Sequence, residues 1–201
     1  MRVLVACEYS GVVRDAFIKK GHDAVSCDLL PTDNPGPHHQ GDVLNILHEG
    51  WDLMIAHPPC TYLSNSGVCW LYKNKSRDKN LERWNLMKKG AKFFKALLDA
   101  PIDKICVENP IMHGYAKEIV GSKQSQVVQP YMFGHTEKKA TCLWLKGLPL
   151  LEPTNNVKKK METLPKREQQ RLHFLPPSKD RWKERSKTFS GIAEAMASQW
   201  G

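Results

Sequence analysis

The sequence has no Cys-x-x-Cys pair, no His-x-x-x-His pair, no internal repeat and no apolar run long enough to cross a bilayer. Each absence removes a class. Without the spacings that structural zinc sites use, a zinc-stabilised binding module built on Cys60, Cys69, His38, His39 or His57 is disfavoured, and no metal site is expected. Six cysteines stand singly along 201 residues, and Met1-Arg2-Val3-Leu4-Val5 runs straight into a strand pattern with no apolar secretory leader. The expectation is reduced thiols in a cytoplasmic protein, not a disulfide scaffold. Leu53 to Tyr72 lacks formal charge, yet two prolines, His57, Asn65 and several hydroxyls make it unfit for a membrane span. Acidic residues are also scarce, with 21 against 30 lysines and arginines, and the net charge of +9 favours a polyanionic partner. From Glu137 to Lys187 fourteen basic side chains face six acidic ones, so a surplus of +8 lies in that stretch.

What is present is a repeated alternation of short apolar runs, turn residues and helical spacing, which predicts a mainly parallel sheet in one compact α/β domain. Val3 to Cys7 reads as a strand, Glu8-Tyr9-Ser10-Gly11 as a turn, and Val12 to Lys20 as a helix closed by Gly21. Ala24 to Cys27 is the second strand, with Asp28 at its carboxyl end. Pro31 to Gly41, with three prolines and two glycines, reads as a surface loop. Leu53 to Ala56 is a buried strand ended by His57-Pro58-Pro59-Cys60, because consecutive prolines cannot donate to a ladder. Leu81 to Leu98 is the strongest amphipathic helix, and Ile105-Cys106-Val107 is a strand stopped by Glu108-Asn109-Pro110. Thr141 to Leu145 is one more strand, the stretch around Lys158-Lys159-Lys160 looks loosely folded, and Gly191 to Trp200 reads as a terminal helix.

In an open parallel sheet, ligands bind outside the carboxyl ends of the strands. Glu8 to Gly11, Asp28, Asp42, His57 to Cys60 and Glu108-Asn109 all map to that edge. An acid ending the second strand suits the ribose hydroxyls of an adenosine-bearing cofactor, which is the place of Asp28. Two prolines before Cys60 would present its thiol at a fixed height above the sheet. A carboxyl group on a neighbouring strand end, Glu108, could protonate or hydrogen-bond a ring nitrogen while the thiolate attacks an adjacent ring carbon.

In this combination and order the chain resembles the cytosine-5 DNA methyltransferases. Ala6 to Gly11 is similar to their cofactor loop, Pro58-Pro59-Cys60 with the following Ser64 and Gly67 to their catalytic loop, Glu108-Asn109-Pro110 to their Glu-Asn motif, and Ser190 to Ala197 to their last motif. The resemblance implies a doubly wound, Rossmann-like fold and S-adenosylmethionine as cofactor, held by Glu8, Tyr9, Ser10, Gly11, Asp28, Asp42 and Pro58. It implies catalysis by Cys60, Glu108 and Asn109, with Pro59, Ser64, Lys138 and Lys139 at the substrate. Lys158, Lys159, Lys160, Arg167, Arg171 and Arg181 are candidates for phosphate contacts, with Trp182 available to stack on a base. The expected division is a catalytic core over 1–150, a basic recognition segment over 151–186 and a helix returning to the core over 187–201. That recognition segment is far shorter than the family's target-recognition domain. The same chemistry on RNA or a free cytosine nucleotide therefore stays open beside DNA, as does a catalytically silent nucleic-acid-binding protein.

Overall fold

The structure, a computed structural model, describes residues 1–73 and 78–201. Its strands are β1 (Arg2–Ala6), β2 (Asp23–Asp28), β3 (His38–Gln40), β4 (Leu53–Ala56), β5 (Lys104–Asn109), β6 (Gln126–Val128) and β7 (Thr141–Lys146). They form one sheet in the order β3-β2-β1-β4-β5-β7-β6, parallel except for β7, which runs antiparallel to both its neighbours. Val3 to Ala6 and Leu53 to Ala56 are all buried, as central strands covered on both faces must be. Val3 and Val5 face one layer while Leu4 and Ala6 face the other, the alternation that a period of two imposes.

The helices are α1 (Val12–Lys19), α2 (Leu81–Leu98), α3 (Gly114–Val120), α4 (Lys158–Glu162), α5 (Lys166–Gln169), α6 (Arg181–Ser186) and α7 (Ser190–Gln199). On α2 the buried positions Met87, Ala91, Phe94 and Leu97 recur at helical spacing and lie on the face that holds Leu4, Met54 and Ile105. Asn80 caps its start, its side-chain oxygen accepting from the Arg83 amide at 3.2 Å. α1 and α7 pack together on the opposite face. Gly191 is required at the start of α7, because a Cβ there would strike the Phe133 carbonyl oxygen. This is a doubly wound α/β fold, with a helical layer on each face of the sheet.

Three expectations change. The loop from Pro31 to Gly41 contains the edge strand β3, which pairs with β2 from Ser26 to Asp28. The buried Arg14 guanidinium organises that loop from beneath, with Ser26 Oγ and Thr32 Oγ1 at 3.2 Å and the Asn34 carbonyl at 3.1 Å. The elements α3 and β6 were not visible as an apolar period, since each is short and buries only two or one of its residues. The basic stretch is not loose either: it carries α4, α5 and α6, Leu151 and Leu172 anchor it in the core beside α7, and Met161 is buried on α4.

Candidate active site

The strand order reverses at β1, whose two neighbours β2 and β4 are reached by connections on opposite sides, and this opens a crevice at the carboxyl ends. His57 leaves β4 with its amide still bonded to the Ala6 carbonyl at 2.9 Å, and then Pro58 and Pro59 carry the chain away from the sheet. Cys60 closes the turn: its carbonyl accepts from the Leu63 and Ser64 amides, both at 3.0 Å. Asn109, at the end of β5, donates its side-chain amide to the Pro58 carbonyl at 3.3 Å and so pins the diproline turn from the neighbouring strand. The loop beyond is tied to the chain following Glu108, through Asn65 N to Ile111 O at 2.7 Å and His113 N to Leu63 O at 3.0 Å. The segments bearing Cys60 and Glu108 are thus one unit.

Glu108 Oε2 lies 3.0 Å from His57 Nδ1, and both side chains are nearly sequestered from solvent. Burial alone would raise the carboxyl and lower the imidazole. The hydrogen bond and mutual charge outweigh it, so Glu108 is held below its ordinary value, helped by Lys139, and His57 above its own, helped by Glu8. Burial pushes the Cys60 thiol up, Lys139 pulls it back, Glu108 raises it further and Arg185 lowers it. Two buried polar atoms, His57 Nε2 and Asn109 Oδ1, have no partner among the described residues.

Beside this cluster is a cavity of about 220 Å³ bounded by Cys7, Cys27, Asp28, Leu29, Asp42, Val43, Pro59 and Phe93. Asp28 uses one oxygen to accept the Leu30 amide at 2.9 Å, and Asp42 uses one for the Leu44 amide at 3.0 Å, which leaves the second oxygen of each to a donor. Cys7 and Cys27 are neutral there, since burial raises both thiols and pushes Cys27 up to about 11. Cys7 also takes a left-handed backbone, φ 58°, at the turn out of β1. Leu29 is 73% exposed at the lip, an apolar side chain with no core to fill.

The structure gathers some of the expected site residues and disperses others. Cys60, Glu108, Asn109 and Lys139 converge, and Asp28, Asp42 and Pro59 line the cavity. The side chains of Glu8, Tyr9 and Ser10 are committed elsewhere. Glu8 accepts from the Val13 amide at 2.7 Å and the Arg14 amide at 3.2 Å, capping α1, and Ser10 donates to Glu8 at 3.1 Å. Tyr9 donates to the Lys183 carbonyl at 3.0 Å and meets Ser186 Oγ at the same distance. Gly11 begins α1 at φ 75° with the Arg14 guanidinium against its Cα, and Pro58 serves through its carbonyl. Ser64 meets Ser66 Oγ at 3.1 Å.

Among the basic residues, Arg171 pairs with Glu137 at 3.2 Å, Lys158 with Glu162 at 3.9 Å, and Arg181 donates to the His173 carbonyl. Lys159 and Lys160 lie on α4, Arg167 on α5, and the Lys138 amide donates to Gln169 O at 2.6 Å. Trp182 packs near Tyr9, with ring centres 5.8 Å apart, so α6 lies against the turn after β1. Sequence reasoning placed His57 at the strand edge without its pairing to Glu108, and missed Arg185, Leu29 and Phe93 as site residues. His57 had a signal, its place directly before the prolines; the other three are defined only by the folded neighbourhood.

No protein-family model matches the chain, and no curated protein matches it in sequence. Solved structures similar to it include the following two. One is described as a DNA modification methyltransferase encoded within an E. coli prophage, at 14% identity over 83% of this chain and 56% of that one, with a TM-score of 0.46. The other is the Entamoeba histolytica methyltransferase EhMeth, at 12% identity over 78% of this chain and 57% of that one, with a TM-score of 0.52. The chain thus spans little more than half the length of either, and what it has in common with EhMeth is the fold of a Rossmann-like methyltransferase.

Proposed function

We propose that this protein transfers a methyl group from S-adenosylmethionine to carbon 5 of cytosine in a nucleic acid, with DNA the favoured acceptor. The observation that carries the reading is the convergence of Cys60 with a buried Glu108 and the Lys139 cation, next to a cavity that presents two carboxylates. The cavity suits the nucleoside part of the donor. Asp28 and Asp42 each offer an oxygen to hydroxyl or amino donors, and Leu29 and Phe93 supply apolar faces for a flat ring. Its volume lies below the ~300–1,000 Å³ of a full ligand pocket, so the cavity residues would hold only part of the donor, with Pro59 at the border on the side of Cys60.

An aromatic ring carbon is a poor nucleophile until addition at its neighbour breaks the ring's conjugation. Cys60, once its thiol proton has passed to solvent, gives an electron pair to carbon 6 as thiolate, Glu108 supplies a proton at ring nitrogen 3, and carbon 5 becomes electron-rich. S-adenosylmethionine, when bound, supplies the electrophilic methyl group that this carbon takes. Transfer of the carbon 5 proton to solvent water then re-forms the ring double bond, expels Cys60 as thiolate and returns the nitrogen 3 proton to Glu108. A cytosine in a duplex must leave the stack to reach Cys60. Asn109 acts through the Pro58 carbonyl, fixing the turn that carries the thiol.

One observation favours a single strand, an RNA or a nucleotide as the second reading. Arg171 and Lys187 are paired with acids, and α6 is packed against Tyr9, which leaves little surface for reading a long duplex site. The test is incubation with the donor and a DNA oligonucleotide containing 5-fluorocytosine, followed by mass analysis under denaturing conditions. Fluorine cannot leave as a cation, so a methylated adduct on Cys60 is expected with the native protein and none with Cys60→Ala. Failure with DNA but an adduct with fluorinated RNA or nucleotide would move the acceptor. No adduct on any of them, with donor binding intact, would overturn the reading in favour of a silent binding protein.

A further inference from the structure

The His57–Glu108 pair poses a chemical problem for the function proposed above, on which this inference rests. Glu108 must deliver a proton, yet a carboxylate hydrogen-bonded to a protonated imidazole at 3.0 Å carries none. We infer that His57 stores the proton that Glu108 delivers to ring nitrogen 3, so that the two residues hold one proton between them and His57 acts as a positioning residue through Glu108.

The geometry supports this in three ways. First, Nδ1 of His57 points at Oε2 of Glu108, so the donor and acceptor of the transfer already share a hydrogen bond. Second, both side chains are about nine-tenths removed from solvent, and Nε2 of His57 has no partner among the described residues. An imidazolium held there depends on its carboxylate partner and on the little solvent that still reaches the two side chains. A base that seats itself against Cys60 removes that solvent, and desolvation penalises the ion pair more than the neutral pair. Binding of the substrate therefore favours movement of the proton onto Glu108 as the acid becomes needed. Third, the backbone that carries the ring is fixed: the His57 amide is bonded to β1 through the Ala6 carbonyl, and the turn that follows is held by Asn109.

The proton count closes. The Nδ1–H bond of His57 breaks and an O–H bond forms on Glu108. A turn of the carboxyl about Cγ–Cδ, fast against turnover, presents that proton to the base. The O–H bond breaks and an N3–H bond forms as sulfur adds to carbon 6. On expulsion of Cys60 the proton returns by the same route, so no outside acid is consumed. The charged groups around His57 are Glu108 from β5 and Glu8 from the turn after β1, which favour its protonated form, and Lys139 from the segment before β7, which disfavours it.

The test compares His57→Gln, Glu108→Gln and the double variant in single-turnover methylation of a cytosine oligonucleotide, with donor binding by calorimetry as the check on folding. His57→Gln is expected to slow the wild type by about 10²- to 10⁴-fold, the range of a lost acid-base group, and to slow Glu108→Gln hardly at all. The wild-type rate is expected to fall as pH rises through the raised His57 value, and that inflection is expected to vanish in His57→Gln. Equal losses in both backgrounds, or an inflection that survives in His57→Gln, would overturn the relay. If His57→Gln does not bind the donor, His57→Asn takes its place. No adduct with wild-type protein in the fluorocytosine experiment removes the methylation reading itself. An adduct accompanied by additive losses removes only the role of His57.

Discussion

A thiol kept protonated by its own burial has to be made reactive by its neighbours, and at Cys60 the two cations that work in that direction are Lys139 and Arg185. Lys139 also acts on Glu108 and His57, so one ammonium group reaches all three members of the cluster. Replacing it with alanine raises the Cys60 thiol further. Alkylation of Cys60 by iodoacetamide, followed by peptide mass analysis, should accelerate with rising pH in the wild type. In Lys139→Ala the whole curve should move to higher pH, with slower labelling at every pH below the plateau. An unchanged curve would remove Lys139 from the activation of the nucleophile. The places of Cys60 and Glu108 at strand ends were legible because a proline closely follows β4 and β5. His57 was not legible as a partner of Glu108, since 51 positions separate them and only the pairing of β4 with β5 brings them together. Glu8 shows the opposite case. Its place after the first strand made it a cofactor residue by motif, yet its carboxylate has two helix amides to satisfy and caps α1 instead.

Among the elements, the connection from β2 to β3 depends most on a single side chain. Arg14 sits on α1 with no exposed surface and reaches under the Thr32 to Pro35 turn, making hydrogen bonds to two hydroxyls and to backbone carbonyls. Asp15 is its ion-pair partner at 2.7 Å. Arg14→Met leaves those groups without that donor, and a buried acceptor left unsatisfied costs about 1–3 kcal/mol. The expected outcome is a lower unfolding midpoint in denaturant and faster proteolytic nicking between residues 31 and 41; wild-type behaviour in both would show that the loop orders itself. Periodicity could not disclose this, because an arginine in an eight-residue amphipathic helix reads as a solvated position. The long helix α2 was legible to its last residue, having a cap and a full apolar stripe. The shorter α3, α4 and α5 each rest on one or two buried side chains or none, too few to form a pattern.

Across the whole molecule the charge is divided unevenly, with the surplus of +8 carried by residues 137 to 187. Part of that surplus is neutralised locally: Arg171 faces Glu137, and Lys187 faces Asp33 across the turn from β2 to β3. Lys159 and Lys160 on α4 are exposed, and Lys158 makes only a long pair with Glu162. Substituting alanine at Lys158, Lys159 and Lys160 together should weaken binding of an oligonucleotide. The slope of log affinity against log salt should shrink by about 2–3, near 0.7–0.9 for each phosphate that is no longer neutralised. Filter binding or fluorescence anisotropy across a salt series measures it, and an unaltered slope would place α4 outside the interface.

The covering of one sheet face by α1 and α7 bears on how the chain is made. Val3, Val5, Phe17, Leu53 and Ile55 belong to the first quarter of the sequence or little more, yet they share a core cluster with Ile192, Ala193, Met196 and Trp200. During synthesis that apolar face stays open until the residues of α7, Ser190–Gln199, leave the ribosome, although β1, β2 and β4 are long since available. A nascent chain stalled before residue 190 would be a substrate for holding chaperones, and completion of the fold waits on the contact most distant in sequence.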